Sequence, residues 1–143
     1  MATDRTATVT WQGSLMEGAG TIHEVGSGAF GPLDVSWPAR AEQPNGKTSP
    51  EELIAAAHAS CFAMALSHAL AQAGTPAQQL DTSATVTFQP GEGITRIALS
   101  VTGTVPGLDG PGFAEHAAGA KAGCPVSKAL AGVPEITLDA SLA

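Results

Sequence analysis

The sequence predicts an α+β fold, and three observations carry the prediction. Residues 6–13 (TATVTWQG) and 18–25 (GAGTIHEV) alternate in the manner of half-buried strands, with a glycine-containing turn between them. Between Leu53 and Ala71, 15 of 19 residues are apolar, a run too long for a strand and suited to one long helix. Residues 81–89 and 94–105 alternate again, and residues 135–142 (EITLDASL) read as a closing strand. A chain of 143 residues has the length of one domain. No repeat or low-complexity linker marks a boundary, so a single domain over residues 1–143 is expected.

After the first two strands comes Gly26-Ser27-Gly28-Ala29-Phe30-Gly31, which has the spacing GxGxxG. A phosphate cradle of that kind needs a helix next. The chain instead continues with Pro32 and a short run, Leu33 to Pro38, that reads as extended, so the glycines are turn residues. Residues 39–49 read as a polar loop. A helix start is then well marked: Ser49 can cap, Pro50 suits the first helical position and Glu52 completes a capping box. The helix is expected to reach Gly74, with Pro76 beyond it. It is apolar nearly all round, so it is expected to be enclosed by sheets or by a partner subunit. Pro90-Gly91-Glu92-Gly93 joins the next two strands. A helix from Pro111 to about Ala122 is broken by Gly123, and a short one restarts at Pro125.

Composition excludes several function classes. Thirteen acidic residues against six Lys and Arg give a net charge of −7, and aromatic residues are 4% with no Tyr. So few cations exclude a basic footprint for nucleic acid. The long apolar run has nearly the length of a membrane span, but it is largely Ala, interrupted by His58, Ser60, Ser67 and His68 and without a basic flank, so a buried helix is expected and no membrane partner. A mean hydropathy of +0.13 with only 13% charged residues points to apolar surface shared between subunits. MATDRTATVT has no apolar core of a signal peptide, so a cytoplasmic location is expected. In that compartment two thiols are inert core residues, metal ligands or redox groups.

Those thiols are Cys61 and Cys124. Cys61 lies midway along the long helix, on a face with Ile54, Ala57, His58, Met64, Ala65 and His68. A reactive thiol there needs a cation, because burial raises a thiol's pKa. Arg40 is the best placed in sequence of the six cations. Glu51, in the first helical turn, could hold Arg40 by a charge-assisted bond, although ten residues of straight helix separate it from Cys61 by about 15 Å. Cys124 sits in Gly-Cys-Pro just before a helix, near backbone N–H groups, Lys121 and Lys128, and by local physics it is the more acidic thiol. His58, Cys61 and His68 share a face, but no CxxC or HExxH spacing supports a metal site. Ser60 and Ser67 lack the GxSxG context of a serine hydrolase.

The segment Thr48 to Ser67 (TSPEELIAAAHASCFAMALS) resembles the central helix of the OsmC/Ohr family, and Lys121 to Ser127 (KAGCPVS) resembles its second cysteine segment. The opening ATVTWQG and the closing EITLD fit as well, so the resemblance spans essentially the whole chain. Arg40 before the helix, with His58 and Ser60 within it, favours the OsmC branch. The resemblance implies an intertwined α+β homodimer in which antiparallel sheets enclose the central helices. It implies a thiol-dependent peroxidase for organic hydroperoxides, with hydrogen peroxide reduced less well. Cys61 would be the nucleophile and become a sulfenic acid, Cys124 would resolve it as a Cys61–Cys124 disulfide, and Arg40 and Glu51 would support the thiolate. A dithiol, lipoyl-type by family resemblance, would then reduce the disulfide. No metal, flavin or haem is required. An apolar pocket near Phe62 and Met64 is expected to favour organic peroxides. The alternative is a non-catalytic dimeric redox-sensing or ligand-binding protein of the same fold.

Overall fold

A computed structural model of the chain describes residues 1–143. The chain divides into two compact units, Met1–Pro50 and Glu51–Ala143. The first unit contains strands β1 (Val9–Gln12), β2 (Ala19–Ile22) and β3 (Leu33–Val35), then a short helix α1 (Trp37–Ala41). Its three strands form an antiparallel sheet in chain order, with Trp11 opposite Gly20 and Gly20 opposite Val35. The glycine-rich stretch is a turn followed by a strand, as its sequence requires, and Gly28 and Gly31 take the positive φ angles of 75° and 107° that favour glycine.

Helix α1 departs from the expected loop. Ser36 caps it, its hydroxyl accepting from the Ala39 N–H at 3.2 Å, and a proline occupies the first turn. Arg40 therefore stands in the last turn of a helix, where its charge complements the helix dipole. Its guanidinium carbon lies 6.0 Å from the centroid of the Trp37 ring, at the limit of a cation–π contact.

The second unit holds helix α2 (Pro50–Gln72, with Pro50 at the unit boundary), strands β4 (Gln79–Gln89) and β5 (Gly93–Thr104), helices α3 (Gly110–Gly123) and α4 (Pro125–Ala129), and strand β6 (Glu135–Leu142). β4 and β5 form an antiparallel hairpin. β6 is the departure from wholly antiparallel sheets: it pairs with β5 in parallel, Ile136 opposite Ile97 and Leu138 opposite Leu99. The crossover through α3 and α4 returns the chain to the same end of the sheet, as a parallel pairing requires.

The core arises from two periodicities. Central strand β5 buries Ile97, Leu99 and Val101, two residues apart, on one face. Helix α2 contributes Phe62, Leu66 and Leu70, four apart, and α3 contributes Phe113, Ala117 and Ala120. The Thr82 hydroxyl donates to the Ala59 carbonyl at 3.4 Å, tying β4 to the middle of α2 beside Cys61. Only this one stripe of α2 is buried. Ala56, Ala57, Ser60, Ser67 and His68 are exposed, and Met64 is 72% exposed. The all-round enclosure expected of the helix is thus absent within a single chain. By length and composition α2 could cross a membrane, yet its aliphatic stripe is part of a protein core.

Gly103 on β5 lies under Phe113; an added Cβ would meet the Phe113 ring at 2.5 Å. Phe113 is fully buried, so the ring has no free space to enter. Gly103→Ala is expected to lower stability by about 1–3 kcal/mol, read as a lower urea midpoint with an unchanged slope.

Candidate active site

Helix α2 carries Cys61 half-buried at its middle, and the junction of α3 with α4 carries Cys124 fully buried. Cys124 closes α3, its N–H donating to the Ala120 carbonyl at 2.9 Å, and opens α4, its carbonyl accepting from the Lys128 N–H at 3.1 Å. The sequence Gly-Cys-Pro explains that junction. α3 ends at Gly123, and Pro125 is pre-set for a first helical position. The fold brings the two free thiols together across 63 residues of sequence, sulfur to sulfur at 3.0 Å with a hydrogen bond between them. Closing a disulfide of about 2.05 Å takes roughly 1 Å of movement.

The two thiols differ in acidity. Burial pushes Cys61 up, and sharing its proton with Cys124 pushes it further, against a smaller pull from the Val126 N–H. Burial also acts to raise Cys124, but hydrogen bonds from Cys61, from the Ser127 N–H and hydroxyl, and from the Val126 N–H together hold it below the ordinary thiol value. The pair therefore gives up its first proton jointly, and that proton leaves a thiolate resting on Cys124. This is the direction expected locally from Gly-Cys-Pro.

One turn before Cys61, His58 is completely buried, and its Nε2 lies 2.7 Å from the Ser127 Oγ. Burial lowers its pKa, so the imidazole is neutral near pH 7. The unfolded chain then takes up a proton as the pH falls through about 6.5, before the folded chain does. Stability is accordingly expected to fall from about pH 7 to pH 5, and His58→Gln to flatten that slope in urea denaturation.

The other expected residues occupy different elements or different faces. Glu51 is buried in the first turn of α2, about 15 Å along the axis from Cys61. Arg40 belongs to the first unit, on α1. Phe62 cannot line a pocket: it points into the core with no exposure. Met64 instead borders a concavity of about 600 Å³ whose walls mix Ala63, Ala71, Ala77 and Leu80 with Ser67, His68, Gln78 and Gln79. His68 is exposed while His58 is buried, and no group of three or more His, Cys, Asp or Glu side chains assembles to hold a metal. Ser127 is a member of the site that sequence reasoning missed. The signal that could have found it is its position three residues after Cys124, in the first turn of the helix that Pro125 opens.

An α+β chain with two free thiols in contact, one half-buried and one held toward thiolate, belongs to the thiol-based redox proteins. Residues 43–139 match the family described as OsmC-like protein. The chain is 44% identical over 135 residues to peroxiredoxin OsmC of Escherichia coli (strain K12), covering 92% of each. Peroxiredoxin OsmC of Shigella flexneri matches equally, at 44% over 92% of each chain. Among solved structures, an organic hydroperoxide resistance protein OsmC from Legionella pneumophila superimposes with a TM-score of 0.71 at 26% identity, covering 95% of this chain and 96% of the other. OhrB of Bacillus subtilis, also an organic hydroperoxide resistance protein, superimposes at 0.64 with 26% identity over 96% and 98%. The chain belongs to the OsmC family.

Proposed function

We propose that this chain is a cysteine-based peroxidase that reduces organic hydroperoxides, with Cys61 as the nucleophile and Cys124 as the resolving thiol. The 3.0 Å approach of two free sulfurs carries the reading, and the peroxiredoxin relatives support it. The Cys61 sulfur attacks the distal oxygen of the hydroperoxide, the O–O bond breaks, and the alcohol leaves carrying the Cys61 proton. Cys61 is then a sulfenic acid. Cys124 attacks its sulfur, the S–S bond forms, and hydroxide leaves and is protonated to water. A dithiol reductant, lipoyl-type in our reading, reopens the disulfide by exchange and is itself oxidised. Cys61 is the half-exposed sulfur and Cys124 the fully buried one, an arrangement that favours a peroxide meeting Cys61 first.

We assign to Arg40 the stabilisation of charge on Cys61 and the leaving oxygen, and to Glu51 the orientation of Arg40. Both assignments rest on their places in the OsmC-like sequence pattern. We further propose that residues 1–143 act as a single OsmC-like domain, and that a second copy of the chain covers the exposed face of α2, where Met64, Ala56 and Ala57 lie open. A cytoplasmic setting supplies the reducing dithiol that the cycle needs.

Steady-state consumption of cumene hydroperoxide and of hydrogen peroxide with dihydrolipoamide tests the reading. A kcat/KM about tenfold or more higher for the organic peroxide is expected of a peroxidase of this kind. Oxidation of both thiols once per chain without turnover by any dithiol would instead indicate a sensor.

A further inference from the structure

The peroxidase reading leaves one buried polar group unexplained. The Nδ1 of His58 is buried with no hydrogen-bond partner, while Nε2 is 2.7 Å from the Ser127 Oγ. A neutral imidazole carries one N–H, and the orphan decides where it sits. An N–H buried without an acceptor is rarer than a bare acceptor buried without a donor. The hydrogen therefore belongs on Nε2, which donates to the Ser127 oxygen. That bond occupies a lone pair of Ser127 and leaves its hydroxyl hydrogen to be given elsewhere. Ser127 lies three residues after Cys124, in the first turn of the helix Cys124 caps. His58 in turn lies one helical turn before Cys61, whose sulfur touches Cys124. The titratable groups around the pair are Cys61 from α2, Cys124 from the α3–α4 junction, and Lys121 of α3 and Lys128 of α4, which border one cavity with Ser127.

We propose that His58 and Ser127 are positioning residues for the resolving step: His58 Nε2–H fixes the Ser127 hydroxyl so that it donates to the Cys124 sulfur and holds Cys124 as the attacking thiolate. The proposal rests on the peroxidase reading only for the step it serves. In that step the Cys124 thiolate supplies the electron pair of the new S–S bond, the S–O bond of the Cys61 sulfenic acid breaks, and hydroxide departs and takes a proton to become water. A thiolate held by a charge-assisted hydrogen bond needs no general base at that moment.

Two readouts test it. In the Cys61→Ser background, which needs no peroxide chemistry, the Cys124 thiolate is titrated by its ultraviolet absorbance. Ser127→Ala is expected to raise the midpoint by about one pH unit, and His58→Phe to do the same. Ser127→Thr keeps the hydroxyl and His58→Gln keeps a donor, so both are expected to remain near the parent. Ser127 is small, so Ser127→Ala keeps the test decisive even where His58→Phe fails to fold. With both cysteines present, Ser127→Ala is expected to slow disulfide formation from the Cys61 sulfenic acid about tenfold. An unchanged titration midpoint in Ser127→Ala overturns the proposal. A shifted midpoint in a protein that never forms a Cys61 sulfenic acid leaves the positioning role intact and removes the peroxidase reading instead.

Discussion

Cys61→Ser is expected to abolish peroxide turnover, lowering kcat/KM for cumene hydroperoxide by more than about a thousandfold. A serine hydroxyl fits the space of the thiol but has no accessible oxyanion near pH 7 and does not form a stable sulfenic-acid equivalent. The substitution also removes a partner from Cys124, whose sulfur lies 3.0 Å away in the parent. Cys124 is fully buried, so its remaining thiolate is not expected to take over the reaction with peroxide at a useful rate. Substantial turnover in Cys61→Ser would mean that the more acidic thiol is the true nucleophile. Coupled consumption of the peroxide and dihydrolipoamide measures this directly.

Cys124→Ser is expected to behave differently. The first oxidation of Cys61 should still occur, because the attacking sulfur is present, but the sulfenic acid has no thiol 3.0 Å away to condense with. Steady-state turnover with the dithiol is expected to fall about a hundredfold, and repeated peroxide additions to drive Cys61 to sulfinic acid, seen as a mass increase of two oxygens. The parent should resist that overoxidation. The contrast between the two variants separates nucleophile from resolver.

Much of the fold is legible in the sequence because its signals are local. Ser49, Pro50 and Glu52 mark the start of α2, and the helix begins at Pro50. Alternation over residues 94–105 shows as Ile97, Leu99 and Val101 facing the core. Gly-Cys-Pro marks the α3–α4 junction for the same reason: the glycine ends one helix and the proline starts the next. The features that the sequence hides are either too short or too distant. Helix α1 spans five residues, less than two turns, so no apolar period shows, and its Ser36-Trp37-Pro38 start reads as extended chain. The parallel pairing of β6 with β5 depends on the path of the connecting helices, which no window of residues contains. Phe62 adjoins Cys61 in sequence, which suggests a place at the same pocket. Adjacent helical residues point about 100° apart, however, and Phe62 falls on the core stripe with Leu66.

The candidate site divides in the same way. Cys61 and Cys124 stand out by residue type, and the acid-favouring surroundings of Cys124 are implicit in its helix start. Their contact across 63 residues, and that of His58 with Ser127 across 69, exist only once the chain folds. Helical spacing puts His58 on a shared face with Cys61 and His68, but the structure separates the two histidines: one is enclosed against Ser127 and the other exposed.

The most direct measurement is mass spectrometry of the reduced parent protein after one equivalent of cumene hydroperoxide per chain, with free thiols blocked by alkylation. The account predicts that one equivalent of peroxide is consumed and that the peptides carrying Cys61 and Cys124 are recovered joined by a single disulfide. Recovery of both cysteines as free, alkylated thiols with the peroxide unconsumed would contradict it.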